Sequence, residues 1–222
     1  MGEGWGEAPS FIYLIFSMNK HLFFATLLAL LTFTGCIESE SKKESTPSFD
    51  EVLTTRRSVR SYDATKTISE EEVRQLLIAT QEAPSWANQQ PSKYYVAMSK
   101  EKLDAVKELV GRNKQNIADA PVVVVSTFER GKSGFFDGNA TNEVGEGWGA
   151  YDNGLSNAYF ILKARAMGYD TLIMGMRDAD ALRELFDIPS NETIMAVISL
   201  GYRASEPNRP ERRPLEEIAK FF

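Results

Sequence analysis

The sequence predicts an α+β sandwich in which a small central sheet is flanked by helices, and three observations point there. Helix-period segments and short strand-like runs are mixed along the chain without a regular βαβ alternation. No G-x-G-x-x-G follows a strand, which excludes a doubly wound dinucleotide-binding domain. Ala120-Pro121 introduces V-V-V-V-S-T (122–127), a β-branched run suited to a buried strand. The 222 residues are 43% apolar and 25% charged, the composition of one globular domain with a real core.

The elements follow in chain order. Phe49 to Thr55 reads as a short helix leading into R-R-S-V-R (56–60). Ser69 and Glu72 form a capping box, and Val73, Leu76, Leu77 and Thr80 then recur at helical spacing until Pro84 ends the run. Tyr94 to Met98 is a strand, and Lys100 to Val110 a helix stopped by Gly111. After the 122–127 strand, residues 128–148 are rich in Gly and Asn without periodicity. So long a loop in a compact domain is usually functional. A long helix from about Ala150 to Met167 is capped by Gly168. A strand at 171–175, a helix at 178–186, a strand at 193–202 and a short helix from Pro214 complete the pattern.

The front of the chain is not part of this fold. From Met18, Lys20 gives a positive start, Leu22 to Phe33 is an apolar run of signal length, and Thr34-Gly35-Cys36 closes it. The pattern resembles a bacterial lipoprotein signal with Cys36 as the lipidated mature N-terminus, although Phe33 stands where Leu is usual. An uncleaved hydrophobic anchor and a plain secretory signal remain as alternatives. Residues 1–17 are an upstream extension, 18–36 the signal, 37–48 a charged, Ser-rich tether and 49–222 the folded domain. The implied location is the cell envelope, lipid-anchored or periplasmic, or the cytoplasm if the leader does not function. G-E-G-W-G at 2–6 and 145–149 and E-A-P-S at 7–10 and 82–85 are too short to be structural repeats.

Rare residues narrow the chemistry. The one histidine, His21, and the one cysteine, Cys36, both precede the domain. The domain therefore has no Ser-His-Asp triad, no thiolate nucleophile and no His- or Cys-ligated metal. A net charge of -6 argues against a nucleic-acid partner. A borrowed organic cofactor fits best.

Three polar clusters remain. R-R-S-V-R offers planar guanidinium groups and a hydroxyl suited to phosphate. A-P-S-W-A-N-Q-Q-P (83–91) is a rigid run of neutral amides and hydroxyls. R-R-P-L-E-E-I (212–218) holds a second arginine pair at a helix start. With G-Y-D-T-L-I-M-G-M (168–176) and I-S-L-G-Y-R (198–203), these motifs, in this order and spacing, resemble the FMN-dependent nitroreductase family from Phe49 to the C-terminus.

The resemblance implies a nitroreductase-like sandwich, a homodimer with FMN at its interface, and a flavin site distributed over the motifs. Arg56, Ser58, Arg60 and Arg212 would hold the phosphate, with Arg57 near them. Pro84, Ser85, Asn88 and Gln90 would contact the ring or ribityl chain, and Met174 and Gly175 would bring backbone to the flavin N5 edge. The side chain of Met174 is equally suited to the core, Trp86 to a pocket wall, and Asp152 and Asn157 to helix packing. The family often carries an aromatic after "QP"; Ser92 stands there, which widens the pocket on that side.

The implied activity is ping-pong hydride transfer from NADH or NADPH, or another donor, to a small flat acceptor such as a nitroaromatic or quinone, with no side-chain catalyst. Phe135, Phe136 and Trp148 are candidate lid residues. Export would separate the protein from cytoplasmic NAD(P)H. Two alternatives stay open: a flavin-binding lipoprotein without turnover, and a relative with other flavin chemistry such as dehalogenation or desaturation.

Overall fold

The computed structural model describes residues 46–222. The leader, the signal with Cys36, and tether residues 37–45 lie outside the described residues. Ser48 ends the tether by capping the first helix, its hydroxyl accepting from the Glu51 amide. The elements are α1 (Phe49–Thr55), α2 (Glu70–Gln81), β1 (Ser92–Ala97), α3 (Lys100–Glu108), β2 (Val122–Glu129), β3 (Phe135–Phe136), β4 (Asn139–Ala140), α4 (Gly147–Ala166), β5 (Asp170–Met174), α5 (Ala179–Phe186), β6 (Glu192–Gly201) and α6 (Leu215–Ile218).

The sheet runs β1-β2-β6-β5 with every neighbouring pair antiparallel, and β3 and β4 form a separate small ribbon. The V-V-V-V run lies in the second strand of that order, buried on both faces. Val122 and Val124 pack with Leu76 of α2 and Phe160 of α4, while Val123 and Val125 pack with Val106 of α3 and Leu182 of α5. This two-sided burial is why the run is continuously apolar instead of alternating. The expected α+β sandwich with a small central sheet is the observed architecture.

Local chemistry explains the boundaries. Ser69 and Glu72 make the reciprocal capping box at the start of α2. At the end of α4 the Tyr169 amide donates to Ala164 O (2.9 Å) and the Gly168 amide to Arg165 O (3.0 Å), with Gly168 at φ +86°. These are the two bonds of a Schellman stop, which needs a left-handed residue at the Gly168 position.

Several boundaries differ from expectation. β1 starts at Ser92 and ends at Ala97, and α3 ends at Glu108 before two short 3₁₀ turns (Gly111–Asn113, Gln115–Ile117). The segment 128–148 is less loop than its composition suggests. β2 continues to Glu129 because Phe128 and Glu129 stay in register with Thr193 and Glu192. α4 begins at Gly147, and Gly149 lets the helix approach the Phe128 ring: a Cβ there would stand 2.5 Å from it.

Candidate active site

The R-R-S-V-R segment runs along the free edge of β5. Ser58 bridges Thr171 in parallel sense, and the Val59 amide donates to Thr171 O at 3.0 Å. Val59 and Tyr62 are buried and hold the segment against the sheet, with the Tyr62 hydroxyl bonded to Ser199 Oγ at 2.7 Å. Alternation along an extended chain then leaves Ser58 and Arg60 facing out, and both are exposed.

Arg56 is half-buried beside Arg212 and Arg57. Burial, then the charges of Arg212 and Arg57, pull its pKa below the ordinary arginine value, and Asp170 opposes them. Asp170 is already committed, however. It accepts from Arg203 Nε (2.7 Å) and Nη2 (2.6 Å), and Arg165 Nη1 stands at 3.5 Å. Arg57 Nη1 donates to Thr54 O (2.7 Å) and Arg56 O (2.8 Å), while its Nε is buried without a hydrogen-bond partner among the described residues. Cations separated by 156 positions in sequence are thus gathered with donors in excess. That is the electrostatic form of an anion site.

The other end of β5 carries the 174–176 segment. The Met174 side chain is 2% exposed and belongs to the core, whereas Gly175 is open to solvent. The loop after α3 lies beside it: the Asp178 amide donates to Leu109 O at 2.8 Å, and a Cβ on Gly111 would stand 2.9 Å from Met176 Sδ. This places the Asn113–Asn116 amide pair, bonded at 3.1 Å, near the β5 end. Sequence reasoning passed over these two residues. The signal is N-K-Q-N (113–116), three amide side chains around Lys114, two residues after Gly111.

The 84–91 loop is strained and internally tied. Ala87 (φ +45°), Asn88 (+55°) and Gln90 (+48°) all adopt left-handed backbone, which only the asparagine tolerates readily. The Gln90 amide donates to Ser85 Oγ (3.0 Å), Gln90 Nε2 to Asn88 Oδ1 (3.1 Å), and the Trp86 amide to the buried carboxylate of Asp152 on α4 (2.9 Å). Asp152 therefore anchors this loop. Asn157 belongs to a buried network: Ser126 Oγ stands within hydrogen-bond distance of both Asn153 Oδ1 (3.0 Å) and Asn157 Oδ1 (2.9 Å), with one proton to share between them, and Asn153 Nδ2 donates to Thr127 O. The packing role holds for Asn157. Pro84, Asn88 and Gln90 are exposed and Ser85 is half-buried.

One protomer does not bring these parts together. The loop precedes β1 and the arginines border β5, at opposite edges of the sheet. Three interstrand steps separate those edges by about 14 Å. The arginine cluster lies beside the start of β5, Gly175 follows its end, and the Ser85–Gln90 loop precedes β1 at the other edge. Of the candidate lid aromatics, Phe136 is exposed, but Trp148 folds back over Gly134 and donates from Nε1 to Asn142 Oδ1 (3.0 Å). Trp148 thus helps hold the 134–148 segment in place.

Beside the loop, a cavity of about 480 Å³ opens between α2 and the start of β1, with Ser85, Gln90, Ser92 and Tyr94 in its wall. The Tyr94 hydroxyl is buried and lacks a hydrogen-bond partner of good geometry among the described residues. Burial pushes its pKa up to about 12, against the smaller opposing influence of the Ser156, Thr80 and Ser92 hydroxyls. Those hydroxyls bond elsewhere: Thr80 donates to Leu77 O at 2.6 Å, and Ser92 to Ser156 at 3.2 Å. Among the described residues, no cluster of three or more His, Cys, Asp or Glu side chains could hold a metal.

A helix-flanked antiparallel sheet with an arginine cluster at one edge and an amide loop at the other defines a class of α+β proteins suited to a phosphate-bearing, flat cofactor. Residues 53–202 match the Nitroreductase family, and the chain belongs to it. The chain is 25% identical over 205 residues to Bacillus subtilis YdgI, provisionally named a NAD(P)H nitroreductase, covering 79% of this chain and 98% of that one. An FMN reductase [NAD(P)H] of the same organism is 27% identical over 176 residues, 75% of this chain and 70% of its own. In fold, the chain superposes on a nitroreductase-type protein of Exiguobacterium sibiricum solved in complex with FMN. The TM-score is 0.72 at 23% identity, covering 81% of this chain and 99% of that one.

Proposed function

We propose that this protein is an FMN-dependent oxidoreductase that works as a homodimer, passing hydride from NADH, NADPH or another donor to a flat acceptor such as a nitroaromatic or quinone. The carrying observation is the convergence of Arg56, Arg57 and Arg212 beside Ser58, with their one buried acid, Asp170, already paired to Arg203. That arrangement fits a phosphate. The names of the FMN reductase relative and of the FMN-bound fold neighbour support the same cofactor.

Arg56, Ser58, Arg60 and Arg212 would hold the phosphate, and the exposed backbone at Gly175 would meet the edge of the ring. Ser85, Asn88 and Gln90 of a second protomer would answer the ring's neutral carbonyl and N–H groups, with Pro84 and Pro91 stiffening that loop. Bound there, FMN supplies reversible two-electron, hydride-accepting chemistry. The chain's own task is to bind, orient and exclude water, which is consistent with a domain lacking histidine and cysteine.

The 18–36 signature supports an envelope location, with Cys36 lipidated. There the donor must be something other than the cytoplasmic nicotinamide pool. Mass spectrometry of the mature N-terminus tests this: an acylated Cys36 is expected, and an intact Met1 or Met18 start would rule out the lipid anchor and leave the 22–33 apolar run uncleaved.

The first measurement is an absorption spectrum of the purified protein followed by anaerobic addition of NADH or NADPH. Flavin bands that bleach are expected. Bands that persist with both nicotinamides would leave a flavoprotein with another donor, or one without turnover. An Arg56→Ala/Arg60→Ala double variant should fold normally by circular dichroism yet be colourless; if it stays fully yellow, the phosphate assignment fails.

A further inference from the structure

β5 leaves the sheet after Met174, its last residue paired with β6, opposite Val197. One side chain takes over from the ladder there. Arg177 Nη1 donates to Gly175 O at 2.7 Å, and Nη2 donates to Ile194 O of β6. Ile194 adjoins Met195, the extra residue of a bulge in β6: Ala196 faces Ser126 while Ile194 faces Thr127. Arg177 is half-buried, and its Nε is buried without a hydrogen-bond partner among the described residues. Downstream the Asp178 amide donates to Leu109 O at 2.8 Å, and the Asp178 carboxylate caps α5.

This clamp sets one peptide plane. In a trans peptide the carbonyl and the next N–H point in opposite directions, so tying Gly175 O to Arg177 turns the Met176 N–H away from the guanidinium. The Gly175 and Met176 amides donate to no acceptor among the described residues, and both residues are exposed. The protomer itself does not require glycine at 175. A Cβ there would meet nothing within 4 Å, and its φ lies outside the left-handed region. A glycine with no internal reason, beside two free amides, marks a place where a ligand approaches the backbone.

We propose that Arg177 is a positioning residue that presets the Gly175–Met176 peptide, so that the Met176 N–H meets the hydride-accepting edge of the flavin ring. The identity of the ring rests on the FMN reading; the clamp does not. Arg177 itself stays behind the turn, bonded to Gly175 O and Ile194 O.

Hydrogen exchange over residues 174–178 of the full protein, with and without FMN, reads the aim directly. In the wild type FMN should slow exchange at Met176 by about tenfold or more, and Arg177→Met should lose most of that protection. The midpoint potential of the bound flavin is a second readout, because aim and charge move it in opposite directions. An N–H donor facing a ring nitrogen that is bare when oxidised and protonated when reduced favours the oxidised form, so losing the aim raises the potential. Losing a nearby cation lowers it. Arg177→Met should raise it by the equivalent of about tenfold in relative affinity, about 30 mV for two electrons. Arg177→Lys keeps the charge without the planar fork and should move the same way by less. A lowered or unchanged potential in Arg177→Met, or wild-type values in Arg177→Lys, would overturn the positioning role. Gly175→Ala should keep the wild-type urea midpoint and lose about tenfold in FMN affinity; unchanged affinity would place the ring elsewhere and overturn the proposal. A protein that takes up no flavin would overturn this role together with the FMN reading, whereas flavin uptake without protection at Met176 would overturn this role alone.

Discussion

At the residue scale, Asp170 shows how one carboxylate organises the arginine cluster around it. Its side chain is 1% exposed, and its two oxygens are taken by the Arg203 fork. Arg203 in turn donates to Thr55 O, tying the end of α1 to β5. Breaking a buried pair by removing one partner leaves an uncompensated charge, so Asp170→Asn should lower stability by about 3 kcal/mol in urea unfolding. Replacing the exposed Glu70 beside Arg74 should change stability by less than about 1 kcal/mol. Equal effects at the two sites would show that Arg203 finds water or a new partner. The left-handed Ala87 and Gln90 are a different kind of residue-scale feature. Their strain is local and costs stability, and it is held by the Asp152 anchor and the Ser85 hydroxyl.

At the element scale, capping and close packing fix the helices, and each can be tested alone. At the start of α2 the Ser69 amide and hydroxyl donate to Glu72 at 2.7 and 2.6 Å, and Tyr169 donates at 2.6 Å. The Ser69 hydroxyl, then Tyr169, hold the Glu72 carboxyl below its ordinary pKa. A depressed folded value means the carboxylate's contribution is present above the unfolded pKa and disappears as pH falls through the folded one. Ser69→Ala should therefore cost about 1 kcal/mol at pH 7 and clearly less at pH 3. A cost independent of pH would assign the effect to the hydroxyl cap alone. In α4, Gly149 and Gly154 make opposite predictions. Gly149→Ala drives a methyl into the Phe128 ring and should destabilise by about 1–3 kcal/mol. Gly154→Ala meets nothing within 4 Å, so it should stabilise by about 0.5–1 kcal/mol through helix propensity. Both are read from urea midpoints. These elements were legible in the sequence where the code is local, as in Ser69 with Glu72, Gly168 after α4 and the valine run. The continuation of β2 to Glu129 and the early start of α4 were not, because the first depends on pairing with β6 more than 60 residues away and the second packs Gly149 against Phe128, 21 residues earlier.

At the scale of the whole molecule, the motif residues were all visible in the sequence, but their partition was not. Sheet order decides it: β1 and β5 are the outer strands, so the Ser85–Gln90 loop and the Arg56–Arg212 cluster stand at opposite edges of one protomer. Nothing in the linear spacing of residues 56, 85 and 212 encodes that separation. If each flavin is held by the arginines of one protomer and the loop of another, two defects in different halves must complement each other. An Arg56→Ala/Arg60→Ala variant and an Asn88→Ala/Gln90→Ala variant should each be nearly colourless as homodimers. Unfolded together in equal amounts and refolded, they should form heterodimers in which one site draws both halves from undamaged segments and the other draws both from damaged ones. Random pairing makes half of the dimers mixed, so about a quarter of all sites should regain flavin. Absorbance at the flavin bands after removal of free FMN gives the yield directly. Recovery near that fraction requires a site shared between subunits, since no rearrangement within a single chain can restore it. A mixture as colourless as its components would place the complete site within one protomer, with the loop crossing the sheet to reach the arginines.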